Sequence, residues 1–195
     1  MLSSRRLARF KSVVSNRQSG LVLVLEDIHD PHNAAAILRT CDGLGIQDVY
    51  FIFSQEKPYN PRRIGKASSS SANKWLTFYI YRSVEKCLRD LKKADYRICA
   101  TILDPKAKNI LTANLVDKKL ALVVGNEHRG ISTEAAKLAD TLLYFPMQGF
   151  VESFNVSVSA ALFLYEIIRQ RNQQKEQYRL TKKAARTLIK EWSKK

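Results

Sequence analysis

The chain has 195 residues, 45% of them hydrophobic, a length that one domain fills and that can bury a full core without disulfides or metal. Its three cysteines (Cys41, Cys87, Cys99) form no C-x-x-C pair, which argues against a disulfide framework or a thiolate zinc site and suits a reducing cytoplasm. No window approaches the roughly 18 apolar residues of a membrane span, and the N-terminal MLSSRRLARFKSVV lacks the apolar core of a signal peptide, so a soluble cytoplasmic protein is expected.

The net charge of +15 is uneven. Residues 1–25 hold Arg5, Arg6, Arg9, Lys11 and Arg17 and no acid, while residues 169–195 hold ten basic residues against Glu176 and Glu191. The two ends therefore carry +13 and the middle only +2. Such runs are often plain solvated faces, but a near-neutral body with two basic ends fits a polyanion-binding module better, with nucleic acid as the first polyanion to consider. A basic amphipathic helix on a membrane is the rival. It needs a bulky apolar face, and the C-terminal segment offers only Leu180, Leu188, Ile189 and Trp192.

In chain order, a basic segment (1–19) precedes the buried strand LVLVLEDI (21–28) and the loop-helix HDPHNAAAILRTCDGLG (29–45). There Pro31 ends the extended segment, Asn33 is expected to cap a helix over 34–43, and Gly43 or Gly45 closes it. Ala34, Ile37, Leu38, Cys41 and Leu44 form the buried stripe, and Arg39 falls on the opposite face, where a lone arginine is ordinarily just solvated. His29 and His32 have no third ligand cluster to make a metal site, so a loop role is expected for them and no metal.

A strand at DVYFIF (48–53) follows. The polar ASSSSAN (67–73), set among Arg62, Arg63, Lys66 and Lys74, is either a plain surface loop or a phosphate-holding one. Then come a strand at WLTFYIY (75–81), a helix over 83–94, strands at YRICATIL (96–103) and LALVV (120–124), a helix over 132–140, a strand at TLLYF (141–145) and a long helix from about 155 to 171. Continuous apolar strands separated by helices predict an α/β fold with a mostly parallel sheet covered on both faces. Ligands bind beyond the carboxyl ends of such strands, which singles out the loops after 21–28, 120–124 and 141–145.

The second of these loops, VVGNEHRGIS, is neither a P-loop nor a dinucleotide fingerprint, though its glycines let backbone amides approach a ligand. In the third, MQGFVESFNVSVSAALFLYE (147–166), polar Ser153 and Asn155 feed a helix that is apolar nearly all round from Val156 to Ile168. One side of that helix can meet the sheet, and the other most simply meets a second copy of the chain. The polar groups at its start can satisfy unpaired backbone N–H groups and also hold an anion.

Taken in order, NAAAILRTCDGLG, VVGNEHRGIS and FPMQGFVESFNVSVSAALFLYE closely resemble the signature motifs of the SpoU (TrmH-like) branch of the SPOUT methyltransferases, across residues 20–170. That resemblance implies methyl transfer from S-adenosylmethionine to a ribose 2′-hydroxyl of RNA. It also implies a C-terminal deep trefoil knot over the domain 20–171 and a homodimer through the knotted domain. By carry-over, Thr101 and Leu103, the backbone of Val124, Gly125 and Asn126, and Phe145, Met147 and Asn155 would hold the cofactor. Arg39 would be catalytic, in its own subunit or across the dimer, with Asn33, Glu127, Ser153 and Asn155 orienting it and the ribose. Phe154 stands where the family usually has leucine, a departure that bears on packing more than on chemistry.

The short basic ends (1–19 and 172–195) and the segment RRLARFKSVVSNRQSGLVLVLEDIHDPHN resemble the branch that methylates the D-loop guanosine of tRNA, position 18. Arg5, Arg6, Arg9, Lys11, Arg17, Arg62, Arg63, Lys66, Lys74, Arg171, Arg179, Lys182 and Lys183 would then face the RNA. The alternatives are another tRNA or ribosomal RNA ribose, a non-catalytic RNA-binding knotted dimer, or an unrelated α/β nucleotide-binding protein; the last would need a phosphate loop that is missing.

Overall fold

A computed structural model of the chain describes residues 3–65, 72–104 and 106–195. Lys66 and most of the serine-rich stretch lie outside the described residues. In chain order the elements are α1 (Ser4–Val14), β1 (Leu21–Glu26), α2 (Pro31–Gly43), β2 (Asp48–Ile52), α3 (Ala72–Trp75), β3 (Thr77–Tyr81), α4 (Val84–Lys93), β4 (Arg97–Thr101), β5 (Lys108–Asn109), β6 (Leu120–Val124), α5 (Thr133–Leu138), β7 (Thr141–Tyr144), α6 (Val156–Arg171), a 3-10 segment (Asn172–Tyr178) and α7 (Lys182–Trp192). The seven strands form one sheet in the order β3-β2-β1-β6-β4-β7-β5, with every pairing parallel.

Strand alternation explains the layering. In β1, Leu21, Leu23 and Leu25 face the side covered by α2 and α6, while Val22 and Val24 face the side covered by α4. Leu120, Leu122 and Val124 of β6 repeat the first pattern, and Ala121 and Val123 the second. A strand buried on both faces in this way reads as one apolar run, because neither alternate set of side chains meets water.

Several boundaries differ from the sequence-based expectation. Asp30, and not Asn33, caps α2: its carboxylate accepts the His32 N–H at 2.8 Å, and Pro31 takes the first helical position, where its missing N–H is harmless. Asn33 thereby falls in the first turn with its side chain free for other work. Trp75 ends the short helix α3 and does not open β3. The two-residue β5 was too short to be legible in the sequence.

The two termini meet. Phe10 and Val14 of α1 pack with Leu188 and Trp192 of α7, and the rings of Phe10, Trp75 and Trp192 make mutual edge contacts at 5.5–5.7 Å. Trp192 Nε1 donates to the Trp75 carbonyl at 3.0 Å. The apolar residues of the C-terminal segment are thus used to join the two basic ends.

Two expected RNA contacts are corrected here. Arg17 is 1% exposed and donates to the Asp42 and Ile46 carbonyls and to the Asp42 carboxylate. Arg171 is fully buried and donates to the carbonyls of Ser19, Gly20 and Asp117. Both guanidiniums tie the ends to the body through planar five-donor groups that bridge several backbone carbonyls at once, and neither can touch a phosphate in this fold.

Candidate active site

At the carboxyl ends of β4, β6 and β7 lies a cleft of about 490 Å³, within the ordinary range for a cofactor site. Its apolar walls come from Leu103, Ile131, Phe145, Met147 and Phe163, and polar groups reach it from Asp104, Glu127 and Ser153. Thr101, Val124, Gly125 and Asn126 line it as well, so every expected cofactor residue except Asn155 is brought to one place.

The loop after β6 is built to keep its shape. Asn126 and Gly130 exchange backbone hydrogen bonds of 2.9 Å each, and Gly130 has the positive φ of +66° that glycine supplies without strain. A Cβ on Gly125 would lie 2.2–2.3 Å from the Gly130 carbonyl and the Ile131 nitrogen, so only glycine fits there. The 5%-exposed Asn126 side chain donates to the Asp27 carbonyl at 2.7 Å and accepts the N–H groups of His128 and Arg129.

Three of the five expected catalytic residues form a line at the rim. Asn33 Nδ2 donates to Glu127 Oε1 at 3.0 Å, and Asn155 Nδ2 donates to Asn33 Oδ1 at 3.1 Å. Asn155 also caps α6 by accepting the Ser157 N–H at 2.8 Å, so its oxygen serves the helix while its nitrogen faces Asn33. Burial pushes the Glu127 carboxyl up. The bonds from Asn33 and from the His29 and Asp30 N–H groups outweigh this and leave it below the usual carboxylate range. Glu127 is therefore an ionised acceptor, well suited to orient amides. Ser153 is exposed on the cleft wall. Arg39 is exposed on α2, has no polar partner among the described residues and does not line its own chain's cleft.

Residues 20–165 match the SpoU rRNA Methylase family. The chain belongs to this family. A relative from Thermus thermophilus, a tRNA (guanosine(18)-2′-O)-methyltransferase, is 35% identical over 166 residues, covering 85% of this chain and 83% of that one. The crystal structure of the Aquifex aeolicus TrmH/SpoU tRNA modifying enzyme superposes with a TM-score of 0.88 at 29% identity, over 97% of this chain and 95% of that one. The SpoU methyltransferase AviRb from Streptomyces viridochromogenes, solved in complex with the cofactor AdoMet, shares the fold at a TM-score of 0.68 and 22% identity, over 83% of this chain and 61% of that one.

Within this SpoU chain, Phe154 sets its ring edge-on against Phe145 at 5.7 Å and joins the cleft wall. Of the remaining expected RNA contacts, Arg5, Arg6, Arg9, Lys11, Arg62, Arg63, Lys74, Arg179, Lys182 and Lys183 are all exposed.

Sequence reasoning missed the carboxylates that brace the site. Glu26, 2% exposed at the end of β1, accepts the Ser132 N–H at 3.2 Å, and burial raises its pKa despite that bond. Asp27 adopts φ +51° and accepts the N–H groups of Ser54, Gln55 and Glu56. Two acids directly after five apolar strand residues were the available signal, since a carboxylate at a buried strand end must have partners.

Proposed function

We propose that the chain transfers a methyl group from S-adenosylmethionine to a ribose 2′-hydroxyl of RNA, with guanosine 18 in the D-loop of tRNA as the target, and works as a cytoplasmic homodimer. The body would be closed by a deep trefoil knot through the loops after β6 and β7. The single observation that carries this reading is the Glu127–Asn33–Asn155 line at the rim of a cleft lined by the family's expected cofactor residues.

The cleft suits this cofactor in its chemistry: aromatic and aliphatic walls for an adenine face, backbone from Val124 to Asn126 for its edge, and carboxylates for the cationic end. When bound, S-adenosylmethionine supplies an electrophilic methyl group on a sulfonium. Arg39 stabilises the oxyanion that develops on the ribose and holds the adjoining phosphate. Its guanidinium stays protonated at any working pH, so it is not the base; the neighbouring RNA phosphate takes the proton. Glu127, Asn33 and Asn155 fix the geometry of the rim.

Arg39 acts across the dimer in this reading. Two observations support that: it stands free of its own cleft, and α6, packed against α2, exposes the apolar Val158 (45%) and Tyr165 (59%) about two helical turns apart on one face. A second copy laid on that stripe would cover it and bring one protomer's α2 near its partner's site.

Labelled methyl transfer to unmodified total tRNA and to ribosomal RNA fragments, with Arg39→Ala beside the wild type, tests the reading. Label on tRNA from the wild type alone is the expected result. Label on ribosomal RNA alone would keep the reaction and overturn the substrate, whereas tight cofactor binding without transfer to any RNA would favour a non-catalytic RNA-binding dimer.

A further inference from the structure

Outside the expected catalytic set, a group of charged side chains surrounds Glu56, in the loop after β2. Its carboxylate is 17% exposed and accepts from His29 Nδ1 at 2.8 Å, from Arg129 Nη2 at 2.7 Å and, more weakly, from Asn126 Nδ2 at 3.4 Å. These partners come from two other loops, one after β1 and one after β6. Glu56 is itself held, because Asp27 caps its loop by accepting the backbone N–H groups of residues 54–56 and the Ser54 hydroxyl.

His29 is thus gripped at two points by two carboxylates. Glu56 takes its ring, while Glu127 Oε2 takes its backbone N–H at 2.9 Å. Four residues later the same segment delivers Asn33 to Glu127 Oε1. Resting on the methyl-transfer reading above, we propose that Glu56 is a positioning residue: by clamping the His29 ring and the Arg129 guanidinium it sets the loop that holds Asn33 against Glu127. Glu56 touches neither RNA nor cofactor in this role. It acts through the loop, and a small displacement of an orienting group is enough to slow an in-line transfer.

The groups facing His29 are Glu56, Glu127, Arg129 and the His128 ring, whose centroid lies 6.2 Å away, with Asp30 and His32 as chain neighbours. The Glu56 hydrogen bond and charge raise the His29 pKa above its ordinary value, so protonation of His29 and closure of the clamp favour each other.

Two readouts on Glu56→Gln and His29→Ala separate positioning from mere stability. The first is the NMR titration of His29, one of three histidines and assigned by its loss in His29→Ala. Its midpoint is expected above the ordinary value of about 6.5 in the wild type and to fall toward it in Glu56→Gln. The second is steady-state methylation: kcat is expected to fall about tenfold or more in Glu56→Gln, with cofactor affinity and thermal midpoint held. Glu56→Gln/His29→Ala is expected to lose no more than the worse single variant, as members of one clamp do.

An unmoved His29 midpoint, a wild-type kcat in Glu56→Gln, or a loss of cofactor affinity in place of kcat would each overturn the proposal. If the wild type methylates no RNA, the methyl-transfer reading fails on its own account, and the clamp then stands or falls on the titration.

Discussion

Replacing Arg17 with methionine separates a structural arginine from an RNA contact. The side chain is fully buried, its guanidinium lies 5.3 Å from the Trp192 ring centre, and it donates to the Asp42 carbonyl at 3.2 Å and the Ile46 carbonyl at 3.1 Å. Methionine keeps the aliphatic stem but removes the donors; the Asp42 carbonyl still accepts the Gly45 N–H, so the Ile46 carbonyl is the acceptor that loses its donor, and a buried acceptor left unpaired costs about 1–3 kcal/mol. The Asp42 carboxylate, 34% exposed, can rehydrate and adds little. Some of the loss is offset because a buried guanidinium, whose Nε has no hydrogen-bond partner among the described residues, no longer has to be desolvated. The net expectation is about 1–2 kcal/mol, which for a chain of this size lowers the thermal midpoint by roughly 2–8 °C. Scanning calorimetry reads that shift. In parallel, the salt dependence of tRNA binding should keep its wild-type slope, whereas Arg9→Ala, on the exposed face of α1, should flatten the slope by about one. An unchanged midpoint, together with a flattened salt slope for Arg17→Met, would refute the reasoning.

Three further outcomes follow from the same geometry. Burial pushes the Asp48 carboxyl from 3.8 up to about 6 against the lowering effect of Tyr79. The folded chain therefore keeps a proton that the unfolded chain releases, and this stabilisation is lost as pH rises from about 4 to about 6. Asp48→Asn should match wild type near pH 4 and exceed it by about 1–2 kcal/mol at pH 8 in urea unfolding, the full two-unit shift being discounted for partial exposure. Gly125→Ala should abolish cofactor binding by calorimetry while the sheet persists by circular dichroism, since its Cβ would strike the Gly130 backbone at about 2.2 Å; retained affinity would mean that the loop can open at no cost. Tyr165→Glu should shift sedimentation from dimer to monomer and remove methylation, and an active monomer would contradict action across the dimer.

The layers and the three loops were legible because their signals are local. Alternating leucine and valine at 21–25 declare a strand covered on both faces, and the polar entrance to an apolar helix declares a site at its start. What was not legible depends on distant partners. Arg17 stands in a basic run and looks solvated; its acceptors lie 25 and 29 residues away in sequence. Arg171 likewise reaches Ser19 and Gly20, more than 150 residues away. Asp30 and Asn33 are both good caps by residue type, and only the fixed φ of Pro31 at the first helical position favours Asp30. Arg39 was singled out by the family resemblance alone, and within one protomer its surroundings give it no task.

The most direct test of the account uses a tRNA transcript carrying a 2′-deoxyguanosine at position 18, beside the same transcript with the ordinary ribose. With labelled S-adenosylmethionine, the account expects label on the ordinary transcript and none on the deoxy one, and mapping should place the methyl on the 2′-oxygen of guanosine 18. Equal labelling of both transcripts would contradict it.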